Sequence, residues 1–212
     1  LKTTGEYVKN HEDEISAAIN SRKDFPKLIQ LLGLDGIGIE IGVARGEFSE
    51  VLLTSPLSKL YLLDCWWPRS LNDAKFNVLK NSRYDFEFAD NELFLGEVLR
   101  KFWDINRVII IRGFSEKVAT DFADNTFDFV YIDANHLYDA VKNDLNIWWP
   151  KVKLGGVMAG HDYFINGYIP KEHSNWTNEV KRAVDEFSSK EELNLETTKE
   201  MWPSWWVIKP LI

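Results

Sequence analysis

Gly36-Ile37-Gly38-Ile39-Glu40-Ile41-Gly42-Val43-Ala44-Arg45-Gly46, followed by Glu47-Phe48-Ser49, decides the fold. An aliphatic run enters a glycine-bounded turn and leaves it as an amphipathic stretch, Glu47 to Thr54, the pattern of a strand that feeds a helix. The turn reads E-x-G-x-x-x-G. A dinucleotide fold needs G-x-G-x-x-G, so that a pyrophosphate can approach the backbone at a helix N-terminus. Glu40, two positions before the first glycine, would repel a pyrophosphate but suits a ligand carrying an ammonium group. Taken alone, Gly42 and Gly46 also read as plain turn glycines.

Working outward, the same alternation recurs. Further strands are expected at Lys59 to Leu63, Arg107 to Ile111, Phe127 to Ile132, Gly156 to Gly160, Leu193 to Thr197 and Trp205 to Ile208. Helices are expected at Glu92 to Trp103, Tyr138 to Trp148 and Asn178 to Ser188, the second stopped by Pro150 and then Gly155-Gly156. The order implies an α/β fold, a Rossmann-like, seven-stranded, mainly parallel sheet with helices on both faces and a C-terminal antiparallel hairpin. The 212 residues form one domain, 1–212. Residues 1–35 make an N-terminal helical arm, with one or two helices over His11 to Leu32. Residues 66–91 form a cap insertion after the second strand, too long for an ordinary connection. A lid is expected over Phe164 to Trp176.

Composition narrows the partners. Against 33 Asp and Glu stand 25 Lys and Arg, a net charge of −8, the wrong sign for a nucleic-acid binder and in keeping with a small-molecule substrate. Cys65 is alone, which excludes an intramolecular disulfide or a cysteine-based zinc site and fits a small buried filler. No apolar run approaches the ~20 residues that span a bilayer, and Leu1 to Asn10 lacks the design of a signal peptide, so no membrane association and a cytoplasmic location are expected. The chain opens on Leu1 rather than Met, so trimming and a lost leader stay open. An N-terminal helical arm and exposed aromatics are compatible with a homodimer.

Ligands of open α/β sheets bind at the carboxyl ends of the strands, and the informative residues lie there. Asp64 ends the second strand at about the ~20-residue offset at which an acid meets ribose hydroxyls, although a strand-end cap is the plainer reading. Together, Glu40 and Asp64 favour an adenosine ligand with an amino acid tail. On the fourth and fifth strands, Asp133-Ala134-Asn135-His136 and Gly160-His161-Asp162-Tyr163 share one ledge, because neighbouring strands lie ~4.8 Å apart. Asp133, His161 and Asp162 suit Mg²⁺ or another divalent cation, which would lower the pKa of a hydroxyl. The alternatives are an N-cap role for Asp133 and backbone satisfaction by His161. His136 titrates near neutral pH and is the candidate base, or else a structural hydrogen bonder. His11 and His173 have no partners at interpretable spacing.

Glu40-x-Gly42-x-x-x-Gly46 with Asp64 resembles the cofactor motif of class I S-adenosylmethionine-dependent methyltransferases. The resemblance implies that the Glu40, Gly42 and Gly46 turn holds the methionine part and Asp64 the ribose. Arg112-Gly113-Phe114-Ser115-Glu116 is similar to the turn that contacts adenine, which implies that Ser115 binds the base. The segment from Asp133 to Tyr163 resembles small-molecule O-methyltransferases that read D-x-D-H-x-Y and G-G-x-x-x-x-H-D-Y. That group is similar to metal-dependent sugar and catechol enzymes, whose ligand positions match Asp133, His161 and Asp162. His136 lies three residues past Asp133, where the catechol enzymes carry a catalytic lysine. The resemblance covers roughly Gly36 to Tyr163 and departs at Asn135, which replaces the second Asp of D-x-D. Asp133 enters the cofactor, metal and catalytic sets, the last together with His136. The implied activity is methyl transfer to a hydroxyl oxygen of a sugar or secondary metabolite. Alternatives are a metal-independent N- or protein methyltransferase, a non-catalytic cofactor-binding protein, and another enzyme on the same scaffold, of the cephalosporin hydroxylase-like kind.

Nine Trp include three pairs. Trp148-Trp149 and Trp205-Trp206 are expected in packing, with one member of each pair half buried. Trp66-Trp67 follow the ribose-binding edge, where an aromatic face would cover the cofactor or its sulfonium.

Overall fold

The computed structural model describes residues 14–66, 90–164 and 179–211. Seven strands form one sheet: β1 (Ile37–Ile41), β2 (Lys59–Asp64), β3 (Val108–Arg112), β4 (Phe127–Ile132), β5 (Val152–Gly160), β6 (Glu196–Thr197) and β7 (Trp205–Ile208). Their order is β3-β2-β1-β4-β5-β7-β6. The first five are parallel, and β7 runs antiparallel to both β5 and β6, as the sequence implies. The helices are α1 (Phe25–Leu31), α2 (Glu47–Leu52), α3 (Asp90–Phe102), α4 (Ser115–Val118), α5 (Tyr138–Trp148) and α6 (Glu179–Lys190). A short helical stretch at 14–18 precedes them.

Strands β1 and β4 are central in a parallel sheet and must be covered on both faces, which explains their near-continuous apolar runs. Alternate residues feed two separate cores. One face packs Leu60, Leu62, Phe129, Tyr131 and Trp206 under Ile15, Ile19, Phe25, Leu28 and Val98, so the N-terminal segment and α3 cover it. The other packs Ile39, Ile41, Val130 and Ile132 under α5 and α6 through Val141, Leu145, Trp148 and Val184. Phe25 pins the N-terminal segment, its ring centroid lying 5.7 Å from Tyr131, 5.9 Å from Phe129 and 6.0 Å from Trp206.

Several boundaries move. β5 begins at Val152, and Gly155-Gly156 lie inside it, where the register to β4 slips between Phe127 and Phe129. Gly155 takes φ +76°, so the pair forms an irregularity in the strand; α5 gives way instead to a single turn at Trp149–Lys151 that contains Pro150. The sixth strand shrinks to Glu196–Thr197. Trp149 is half buried as expected, but Trp205 and Trp206 are each only 1 % exposed. β7 lies between β5 and β6, so both of its faces meet a core and neither ring reaches solvent. The cap and lid readings fall almost wholly on residues 67–89 and 165–178, outside the described residues, as do His11, His173 and Trp176. No helix of the described residues is long and apolar enough to cross a membrane.

The turn after β1 depends on a missing side chain. Gly42 takes φ +92°, and a Cβ there would overlap the Asp133 carbonyl oxygen of the β4 loop. Gly42→Ala is therefore expected to lower stability by more than ~2 kcal/mol. Gly96, within α3 with nothing close to its would-be Cβ, should gain ~0.5–1 kcal/mol as Gly96→Ala. Denaturant unfolding of the two variants checks both signs.

Candidate active site

The glycine turn, the end of β2 and the β4 and β5 loops meet at the carboxyl edge of the sheet. Gly42 N–H donates to the Leu63 carbonyl (2.8 Å) and Asp133 N–H to the Ile41 carbonyl (2.8 Å), which stitches the three strand ends together. Gly46 adopts φ +76°, and its missing side chain leaves room for the Phe102 ring of α3, 2.6 Å from the position a Cβ would take. Arg45 in the same turn forms a two-pronged ion pair with Glu97 of α3, at 2.9 and 2.8 Å.

Glu40 is buried, 2 % exposed, on the face covered by the N-terminal segment, opposite Tyr131 in register. Its carboxyl accepts from Ser49 Oγ at 2.5 Å. Burial pushes its pKa up to about 8, against the lowering effect of the Ser49 hydrogen bond. Only an opposite charge brought against it, such as an ammonium group, would favour its charged form. Asp64 accepts from the Ala44 N–H at 2.9 Å and the Trp66 N–H at 2.8 Å, one on each oxygen. Each oxygen keeps a further lone pair able to accept from a hydroxyl.

Ser115 opens α4, two residues past Gly113, whose N–H donates to the Asp64 carbonyl (2.9 Å). Its hydroxyl donates to Asp144 (2.5 Å) and accepts the indole N–H of Trp148 (2.8 Å), so it ties α4 to α5. Burial raises the Asp144 carboxyl to about 6. Trp66 is a core residue, 1 % exposed, rather than an open aromatic face. Its partner Trp67 lies outside the described residues.

On the ledge, Asp133, His136 and Asp162 offer ligand atoms that all lie within 4.8 Å of one another. His136 Nε2 stands 3.2 Å from Asp133 Oδ1, and His136 Nδ1 stands 3.1 Å from Asp162 Oδ2. His161 Nδ1 is 3.1 Å from Asp162 Oδ1 and 3.9 Å from Asp133 Oδ2. The four residues predicted from sequence are thus brought together, with His136 converging on the carboxylates alongside His161. Asp162 holds φ +57°, a backbone state unusual for a residue with a side chain and typical of sites where geometry is imposed. Burial opposes its ionisation, but the His161 hydrogen bond and the nearby His136 keep its carboxyl below the ordinary value. Asp133 is no N-cap, since α5 begins only at Tyr138 with Leu137 in the cap position. Asn135, the departure from D-x-D, is exposed and accepts the Leu137 N–H at 3.0 Å, shaping the turn into α5.

One site residue carried no sequence signal. Arg22, just before α1, reaches Asp133 Oδ2 at 3.5 Å, with its guanidinium 5.4 Å from the Phe48 ring centroid. It also faces Tyr131, whose hydroxyl burial raises well above its ordinary pKa. The N-terminal segment therefore adds a cation to the ledge. Its backbone is fixed by Arg22 N–H on Glu200 (2.7 Å) and Lys199 N–H on the Asn20 carbonyl (2.9 Å).

The fold is that of a class I methyltransferase: a 3-2-1-4-5-7-6 sheet, here with a glycine turn after β1, an acid ending β2 and a cluster of carboxylates and imidazoles after β4 and β5. The family model described as a methyltransferase domain matches residues 39–163, and the chain belongs to that family; it is an S-adenosylmethionine-dependent methyltransferase. Among solved structures, the chain is similar to one from Staphylococcus aureus provisionally assigned as a caffeoyl-CoA O-methyltransferase, at 14 % identity and TM-score 0.61, covering 98 % of this chain and 93 % of that one. An O-methyltransferase from Bacillus cereus, solved in complex with S-adenosylhomocysteine, aligns at 16 % identity and TM-score 0.54, with 99 % and 92 % covered. A precorrin-6y C5,15-methyltransferase from Geobacter metallireducens aligns at 14 % identity and TM-score 0.51, with 81 % and 79 % covered. At these identities the likeness is one of fold. No curated protein matches the chain by sequence.

The raised Glu40 pKa has a testable consequence. Its folded value of about 8 exceeds the ordinary 4.5, so the folded chain holds this proton more tightly than the unfolded chain. That stabilisation is complete below the unfolded pKa and is lost as pH rises through the folded one. Between about pH 5 and about pH 8, the melting temperature of the cofactor-free protein should fall more steeply for the parent than for Glu40→Gln. Parallel curves would show that Glu40 does not titrate in this range.

Proposed function

We propose that the chain transfers the methyl group of S-adenosylmethionine to a hydroxyl oxygen of a small molecule, a sugar or a secondary metabolite, with a divalent cation held on the ledge. The observation that carries this reading is the double contact of His136. Both of its ring nitrogens face carboxylate oxygens, yet a neutral imidazole has one N–H and can donate to only one of them. In the neutral form the other nitrogen carries no proton and is placed to take one from an acceptor hydroxyl. Asp133 and Asp162, with His161 Nδ1 3.1 Å from Asp162 Oδ1 and 3.9 Å from Asp133 Oδ2, would supply the oxygen and nitrogen donors that Mg²⁺ or Mn²⁺ accepts, although the tightest group of three is Asp133, His136 and Asp162; the rest of its shell would be water or substrate.

Bound S-adenosylmethionine supplies a methyl group on a sulfonium, which leaves as a neutral thioether when oxygen attacks the carbon. The chain's own residues orient and deprotonate. Glu40 would face the ammonium and Asp64 the ribose, which aims the methyl at the ledge beside Gly42, in contact with Asp133. The acceptor hydroxyl must lose its proton, and one of the two imidazoles takes it while the other completes the cation's ligands. His136 is our assignment for the base and His161 for the ligand. Arg22 keeps Asp133 Oδ2 paired and so fixes the carboxylate's orientation.

Calorimetry on chelator-stripped protein tests the assignment. S-adenosylhomocysteine should bind below millimolar concentration, and Mg²⁺ or Mn²⁺ should bind the parent but more than about tenfold more weakly to Asp162→Ala. His161→Ala should lose cation affinity, whereas His136→Ala should keep it and lose methyl transfer. The reverse pattern exchanges the two roles. An absence of cation binding at saturating S-adenosylhomocysteine would favour the metal-free reading, a nitrogen or protein acceptor on the same fold.

A further inference from the structure

Two non-glycine residues at the cofactor end hold left-handed backbone, Ala44 at φ +48° and Trp66 at φ +34°. Such conformations are strained for a residue with a side chain and persist only where the surroundings impose them. Both residues are clamped to the same carboxylate. Ala44 N–H takes one oxygen of Asp64 and Trp66 N–H the other. The ring closes because the Trp66 indole N–H donates to the Ala44 carbonyl at 2.8 Å. Arg112, paired with Asp64 in the β2–β3 register, donates to the Trp66 carbonyl at 2.7 Å. Every polar group of Trp66 is thereby used, and its ring is buried in the core. Arg112 also pairs with Glu92 on α3, but both side chains are exposed, so that ion pair adds little by itself.

We propose that Trp66 and Arg112 are positioning residues for the cofactor: they set the orientation of the Asp64 carboxylate and the Ala44 turn before a ribose arrives. The inference rests on the reading of Asp64 as the ribose acid. Neither residue touches the cofactor in this account. Both act through Asp64, whose two oxygens each accept one N–H, from Ala44 and Trp66, residues that the indole N–H of Trp66 ties to each other. A carboxylate fixed in this way binds a diol without first losing rotational freedom.

The test is calorimetric, with S-adenosylhomocysteine and with an analogue lacking both ribose hydroxyls as probes. Trp66→Phe keeps the buried ring and removes only the indole N–H; Arg112→Met removes the donor to the Trp66 carbonyl at a part-exposed position. Each is expected to weaken S-adenosylhomocysteine about tenfold. Neither should weaken the dihydroxyl-free analogue further than the parent already does, because the residues act through the ribose contact. Equal losses for both probes would make them general braces of the fold and overturn the proposal. Unchanged affinity in both variants overturns it as well. If the parent itself fails to bind S-adenosylhomocysteine, the cofactor reading falls and takes the proposal with it.

Discussion

The close approach of Gly42 to the Asp133 carbonyl is the contact on which the rest of the site depends. A parallel sheet delivers its strand ends to one edge, but adjacent loops normally stand apart by the width of a side chain. Gly42 has none and takes a φ that a side chain would strain, so the turn that follows β1 lies directly against the loop that follows β4. The β1 turn with Glu40 and the ledge with Asp133 thereby stand on two sides of one backbone contact.

Around that contact the charges are arranged in two layers. Beneath it, on the face covered by the N-terminal segment, Glu40 and Tyr131 are buried and the part-exposed Arg22 faces Tyr131. Above it, two carboxylates and two imidazoles share the ledge. Arg22 links the layers through Asp133 Oδ2. The N-terminal segment thus belongs to the site as well as to the core, and Phe25 anchors it among the aromatic rings of the sheet.

Much of this was legible in the sequence, for identifiable reasons. Central parallel strands are buried on both faces and so read as apolar runs, and the glycines of the β1 turn are forced by a close approach that tolerates no substitute. Asp133, His136, His161 and Asp162 stood at strand ends, where topology alone brings neighbours together. What stayed hidden depended on contacts without local pattern. Arg22 meets Asp133 across 111 positions of sequence, and nothing in its own segment marks it. Ser115 matched a motif, but its hydroxyl is held by Asp144 and Trp148, a packing choice that no spacing reveals. Trp205 and Trp206 are both buried because β7 is an interior strand, which follows only from the strand order. Gly155-Gly156 read as a helix stop and proved to be an irregularity inside β5, since glycine marks both equally well.

A structure of the protein with S-adenosylhomocysteine and Mn²⁺ tests the central claim most directly. The account predicts ribose hydroxyls on the Asp64 carboxylate, the homocysteine ammonium toward Glu40, and an anomalous manganese signal between Asp133 and Asp162. A nucleoside bound away from Asp64 would contradict the cofactor assignment, and a ledge that holds only water at saturating Mn²⁺ would contradict the metal.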